Sequence, residues 1–115
     1  MHELSIAMSI IEMAEEEAEL RGGVQVLAVR LKLGDLAGIV KEALLSSYEM
    51  ASEESLLKGS QLLIESVPVS VYCQNCRSEQ TLKSIQNFCC PQCGTATAEI
   101  IHGKELEVVA LEIAA

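Results

Sequence analysis

The sequence predicts an α+β fold: a small three-stranded sheet packed by two helices, with a cysteine-bearing module inserted before the last strand. Helical and strand periodicities alternate along the chain, all five cysteines fall between Cys73 and Cys93, and a strand pattern returns after them. A length of 115 residues suits one compact core with a small appended module, and a composition that is 50% hydrophobic supplies that core.

The first helix runs from Leu4 to Leu20. Leu4, Ala7, Met8, Ile11, Ala14 and Ala18 recur at steps of three and four, and Ile6, Ile10 and Met13 widen the stripe. Glu12, Glu15, Glu16 and Glu19 lie on the other side and read as a solvated face. Gly22 and Gly23 stop the helix. From Val24 to Leu33 the period becomes two, with Leu27, Val29, Leu31 and Leu33 on one face and Ala28, Arg30 and Lys32 on the other, which predicts a half-buried strand. Residues 34–38 are turn chemistry, and Val40, Ala43, Leu44, Ser47, Tyr48 and Ala51 then predict a second helix over about 39–51. Lys58, Gly59 and Ser60 break the chain before a second strand over about 61–69, where Pro68 marks an edge or a strand end. Residues 105–113 read as a third strand with much of both faces covered. The expected domains are an α/β domain of residues 1–69 plus 103–115 and an inserted module of residues 70–102.

Charge and composition exclude several functions. Seventeen acidic residues against eight basic ones give a formal charge of −9, which opposes binding of nucleic acid phosphates. No apolar run approaches the ~20 residues of a membrane span, and the start Met1-His2-Glu3 lacks the basic and apolar stretches of a secretion signal, so a cytoplasmic location is expected. The aromatic residues are Phe88, Tyr48 and Tyr72, too few to line an aromatic cofactor pocket. No nucleophile motif, no phosphate loop and no convergence of His with Asp or Glu in the interior pattern points to an enzyme.

Cys73-Gln-Asn-Cys76 and Cys90-Pro-Gln-Cys93 are two Cys-x2-Cys pairs thirteen residues apart, so two tight turns can each offer two sulfurs to one tetrahedral ion. An odd cysteine count without a secretion signal favours a metal over a disulfide framework. Four thiolates suit zinc, in a closed, zinc-ribbon-like structural site, and also the single iron of rubredoxin-like electron carriers. Zinc is favoured because the rest of the chain offers no redox chemistry. Gly94 follows the second pair, where backbone N–H groups must approach the thiolates, and Arg77 holds the corresponding place after the first, which predicts a tighter first turn. Cys89 reads as a free thiol beside the second turn rather than an alternative ligand.

His2 follows Met1 directly. The terminal amine, the deprotonated nitrogen of residue 2 and the imidazole can close adjacent chelate rings around nickel(II) or copper(II), which accept square-planar nitrogen. By the residues alone, His2 is either such a ligand or an ordinary exposed histidine.

The start Met1-His2-Glu3-Leu4-Ser5-Ile6-Ala7 resembles the opening of the HypA/HybF family of hydrogenase nickel insertion proteins. Val29-Arg30-Leu31-Lys32-Leu33-Gly34-Asp35-Leu36-Ala37-Gly38 resembles the family's first strand and turn, Cys73-x2-Cys76 with Cys90-Pro-x-Cys93-Gly94 its zinc motif, and Gly103-Lys104-Glu105-Leu106 the opening of its final strand. The resemblance covers nearly the whole chain. It implies a nickel metallochaperone that delivers Ni(II) to the large subunit of a nickel-iron hydrogenase, with a nickel-handling GTPase as a second partner. Carried over by position, nickel falls on Met1, His2 and Glu3, with His2 indispensable, and structural zinc, Zn(II), on Cys73, Cys76, Cys90 and Cys93. Arg77 departs from a position where many members have glycine, and His102 from one where a small residue is commoner; His102 is either an added metal donor or an exposed loop histidine. The chain is expected to be a monomer or homodimer. The competing function is a zinc-ribbon protein-interaction adaptor without nickel transfer, in which His2 plays no part.

Overall fold

The computed structural model describes residues 3–115. Residues 3–31, 38–65 and 107–115 form one compact unit and residues 32–37 and 66–106 a second. Two helices, α1 (Glu3–Leu20) and α2 (Lys41–Ser52), belong to the first unit, where they pack on each other. β1 (Val26–Gly34) is the central strand of a three-stranded sheet, flanked by β2 (Gln61–Val67) and β6 (Leu106–Ile113). Gln25 O accepts from Ala114 N at 2.9 Å and Glu105 O from Gly34 N at 2.7 Å, so β6 runs antiparallel to β1.

The core of the first unit is built from the stripe Ile6, Ala7, Ile10, Ile11, Ala14 and Ala18 together with Val26, Val29, Leu31, Leu44, Tyr48, Leu57 and Leu62. Leu44 and Leu57 are wholly enclosed, and burial of a side chain of this kind contributes about 1.5–3 kcal/mol. Leu4, Met8 and Met13 of the expected stripe are exposed, whereas Ile6 and Ile10, expected to widen it, are buried in it. Tyr48 is buried with its hydroxyl 2.6 Å from Ser60 Oγ, and burial raises its phenol above the usual range.

Two features of the sheet differ from expectation. In β1, Leu27 is exposed and Ala28 buried together with Val29, so the strict alternation holds only from Val29 onward. In β6 no residue is fully buried: it is a margin strand that packs on the core through half-buried Val108 and Leu111, where the sequence pattern implied much of both faces covered. Pro68 does end a strand, since β2 closes at Val67 and Val69 is buried in a second, smaller core with Val71 and Leu82.

The second unit has its own sheet, in the order β4-β3-β5: β3 (Ser70–Cys73), β4 (Ser78–Thr81) and β5 (Ile100–His102). β3 and β4 are antiparallel, pairing Ser70 with Thr81 and Cys73 with Ser78. A clasp ties together the passages that bound this unit. Asp35 N donates to Val67 O at 3.0 Å and Leu36 N to Gly103 O at 2.7 Å, beside the Gly34 N to Glu105 O bond. A Cβ on Gly34 would lie 2.1 Å from Gly103 O, so the approach requires glycine. Among the described residues no helix is long and apolar enough to cross a membrane.

Candidate metal centre

The first cysteine pair sits at the tip of the β3–β4 hairpin. Cys73 ends β3, Cys76 lies in the turn, and the Cys76 backbone N–H points at Cys73 Sγ, 3.4 Å away. Arg77 closes this turn with φ 53°, the positive-φ position among the described residues that is not glycine. The second pair forms a matching turn: Cys90 N donates to Thr95 O and Gly94 N to Cys90 O, both at 2.8 Å, and Gly94 has φ 77°. The residue after each Cys-x2-Cys pair therefore adopts the left-handed conformation, an arginine after the first and a glycine after the second.

The four sulfurs converge. Cys73 Sγ is 3.6 Å from Cys93 Sγ, Cys76 Sγ is 3.8 Å from Cys90 Sγ, and all four lie within 4.8 Å of one another. A disulfide holds its sulfurs at about 2.05 Å, so these are thiols and not bridges. Four sulfurs about 2.3 Å from a central zinc would be about 3.8 Å apart, the spacing of this set. The donor set thus fits zinc, with Cys73 and Cys90 buried and Cys93 exposed. Among the described residues no other group of three or more His, Cys, Asp or Glu side chains is placed to share an ion.

Electrostatics favour a cation at this point. The Cys93 thiol is lowered to about 5, first by the Thr95 hydroxyl, 3.1 Å away, then by the Thr95 backbone N–H and the Asn75 side chain. The Cys76 thiol is pushed up to about 12, chiefly by its hydrogen bond to Cys93 and then by burial and the remaining sulfurs. One sulfur of the cluster ionises readily and its neighbour then resists, and a divalent ion relieves that conflict. Thr95 and Asn75, outside the Cys-x2-Cys pattern, escape sequence reading because hydrogen bonds to sulfur leave no spacing signal.

Cys89 stays out of the cluster, its backbone pairing with Ala96 beside the second turn. His102 is also apart from the sulfurs: its Nδ1 is 3.0 Å from Glu105 Oε2 and its Nε2 3.8 Å from Glu79 Oε2. Of the expected nickel residues, Met1 and His2 lie outside the described residues. Glu3 opens α1, and its carboxylate accepts the backbone N–H of Val40 at 3.2 Å, next to the start of α2. Glu15 similarly accepts Leu56 N at 3.1 Å, so the acidic face of α1 is more than a solvated surface.

An α/β unit joined in one chain to a four-sulfur knuckle unit defines a small metal-handling protein of the accessory class, built around ligand turns rather than a reaction cleft. Over residues 1–113 the chain matches the family model described as hydrogenase/urease nickel incorporation, metallochaperone, HypA, and it belongs to that family of hydrogenase maturation proteins, which are not enzymes. A protein of Roseiflexus sp. (strain RS-1) described as hydrogenase maturation factor HypA is 47% identical over 112 residues, covering 97% of this chain and 91% of its own. A protein of the same description from Chloroflexus aggregans is also 47% identical, covering 97% of this chain and 98% of its own. The solution structure of the nickel metallochaperone HypA from Helicobacter pylori superposes with a TM-score of 0.68 at 28% identity, over 100% of this chain and 99% of that one.

Proposed function

We propose that this chain binds Ni(II) at its N-terminus through Met1, His2 and Glu3 and delivers it to the large subunit of a nickel-iron hydrogenase, with a nickel-handling GTPase as second partner. The observation that carries the reading is the reach of the family match, which begins at residue 1 and so includes the Met1-His2-Glu3 start. The Helicobacter pylori relative, described as a nickel metallochaperone, supports it. In this reading residues 1–69 plus 103–115 form the nickel-binding domain and residues 70–102 the zinc module. The chain works as a monomer or homodimer in the cytoplasm.

The chemistry follows from the donors. The terminal amine and the imidazole of His2 must each be free of a proton to coordinate, with reference pKa values near ~8 and ~6.5, and the nitrogen between them must lose its own. Nickel affinity therefore falls as pH drops below neutrality. Glu3, whose carboxylate accepts from Val40 N, ties the start of α1 to the entry of α2, so one of the three proposed nickel residues is itself anchored. A site on a chain end can be dismantled by drawing one strand of backbone away, which suits release of a cargo. Cys73, Cys76, Cys90 and Cys93 would hold zinc, which supplies folding energy to the module.

Isothermal titration with nickel of three untagged-start proteins tests this: native, extended by a residue before Met1, and His2→Ala. Extension and His2→Ala should both abolish tight nickel binding with zinc content unchanged. An extended protein that binds as tightly as the native one would remove the terminal site and leave the zinc-ribbon adaptor as the function.

A further inference from the structure

The outer side of β6 has no strand partner among the described residues, because the sheet order β2-β1-β6 places it at a margin. Unpaired strand margins are commonly blunted by lysine, proline or a bulge. β6, Leu106-Glu-Val-Val-Ala-Leu-Glu-Ile113, contains neither lysine nor proline. Val109 is 47% exposed and Ile113 41%, while on α1 Met13, which faces them, is 40% and Leu20, at the helix end, 82% exposed. Between them lies a groove of about 370 Å³ lined by Met13, Glu17, Ala18, Val24, Val108 and Leu111. An open backbone ladder and a partly apolar trough, lined by Glu17 and Arg21 as well as by aliphatic side chains, thus occur side by side in one unit, the two elements that strand addition requires.

Charge decides what fits. The cation lining the groove, Arg21, is already engaged with Glu17, and Arg30 of β1 is engaged with Glu112 of β6. Glu107 on β6 and Glu16, one turn from Leu20 on α1, have no cationic partner among the described residues. A second copy of this chain is a poor occupant. Antiparallel self-pairing centred between Val109 and Ala110 would set Glu107 opposite Glu112 twice, and would join two chains each of charge −9.

We infer that the free margin of β6 and the groove beside it receive an extended segment of another protein, one in which apolar residues alternate with lysine or arginine. Its backbone would continue the sheet, its apolar side chains would enter the trough, and its cations would meet Glu107 and Glu16. The inference does not depend on the nickel site.

The test is a titration of the isotopically labelled full-length, zinc-loaded protein with a short peptide of alternating valine and lysine, and with its valine and glutamate counterpart, followed by amide NMR. The lysine peptide should shift the amides of residues 107–113 and 13–20 and slow hydrogen exchange on β6. The glutamate peptide should bind at least about tenfold more weakly. Val109→Lys, at an exposed position that leaves the core intact, should abolish the response, and Glu107→Lys should reverse the preference between peptides. The inference is overturned by an absence of shifts on β6 or by equal responses to both peptides. It is also overturned by β6 amides already protected without peptide in a protein whose sedimentation depends on its concentration, which would make a second copy the occupant.

Discussion

Replacing Arg77 by glycine should tighten the metal centre. Arg77 closes the first Cys-x2-Cys turn at φ 53°, a left-handed conformation that costs an L-residue about 1–2 kcal/mol. Glycine escapes that cost but gives up about 0.5–1 kcal/mol through the greater freedom of the unfolded chain. The net gain is about 0.5–1 kcal/mol. Because ordering of the knuckle and metal binding are one process, the same energy appears as a rise in zinc affinity of about two- to fivefold. Gly94, at φ 77° in the second turn, is the mirror control. Nothing lies within 4 Å of a Cβ built there, so Gly94→Ala carries only the conformational term and should weaken zinc by a similar factor. The assay is competition for zinc against a coloured chelator, run in parallel on native, Arg77→Gly and Gly94→Ala proteins. A loss of affinity in Arg77→Gly would refute the argument, because the arginine side chain would then be giving the turn more than its backbone takes away.

Gly34→Ala drives a methyl to 2.1 Å from Gly103 O and should destabilise the protein by about 3 kcal/mol or more; an unchanged thermal midpoint would contradict the close approach. Cys73→Ser and Cys90→Ser remove buried members of the sulfur set and should lose zinc and open residues 70–100 to protease while helical circular dichroism persists. Retention of one zinc per chain with native protease resistance would sink the ligand assignment. The Glu105 carboxyl is held below the usual range, first by the Gly103 backbone N–H and then by His102. Its stabilisation is therefore complete above the unfolded carboxylate value near ~4.3 and is lost as pH falls through the lower folded value. Glu105→Gln should flatten that acid limb in a pH series of denaturant melts, and an unaltered limb would assign it to other carboxylates.

Both helices are legible from the sequence because burial on one side imposes a three- and four-residue rhythm, seen in Ile6, Ile10, Ala14 and Ala18. Period-two reading is weaker. It assigns Leu27 to the core and Ala28 to solvent, although the chain buries Ala28, and it cannot separate an apolar strand that is covered from one like β6 that is left open. The sheet of the second unit is invisible beforehand: Ser78-Glu-Gln-Thr81 has no apolar pattern and is a strand because the cysteine turn folds it back on β3. The four sulfurs are readable because their spacing is itself the signal, whereas Thr95 and Asn75 act through hydrogen bonds that need only proximity. Glu15 reads as a member of an acidic face and Glu3 as a residue of the N-terminal motif, yet each accepts a backbone N–H more than thirty residues away in sequence.

The clasp of the 34–36 turn bears on how the metal module is assembled. Val67 and Gly103 are held by hydrogen bonds to neighbouring residues, Asp35 and Leu36, so the intervening chain is a ring of about 35 residues. Closing a flexible ring of that size costs about 3 kcal/mol of chain entropy. The clasp contributes this closure without any help from sulfur. A module stripped of its ion is then a tethered ring rather than a free tail, and its two cysteine turns search for each other inside a confined volume. Exchange of the ion can proceed by local melting of the ring while the strands that anchor it stay paired.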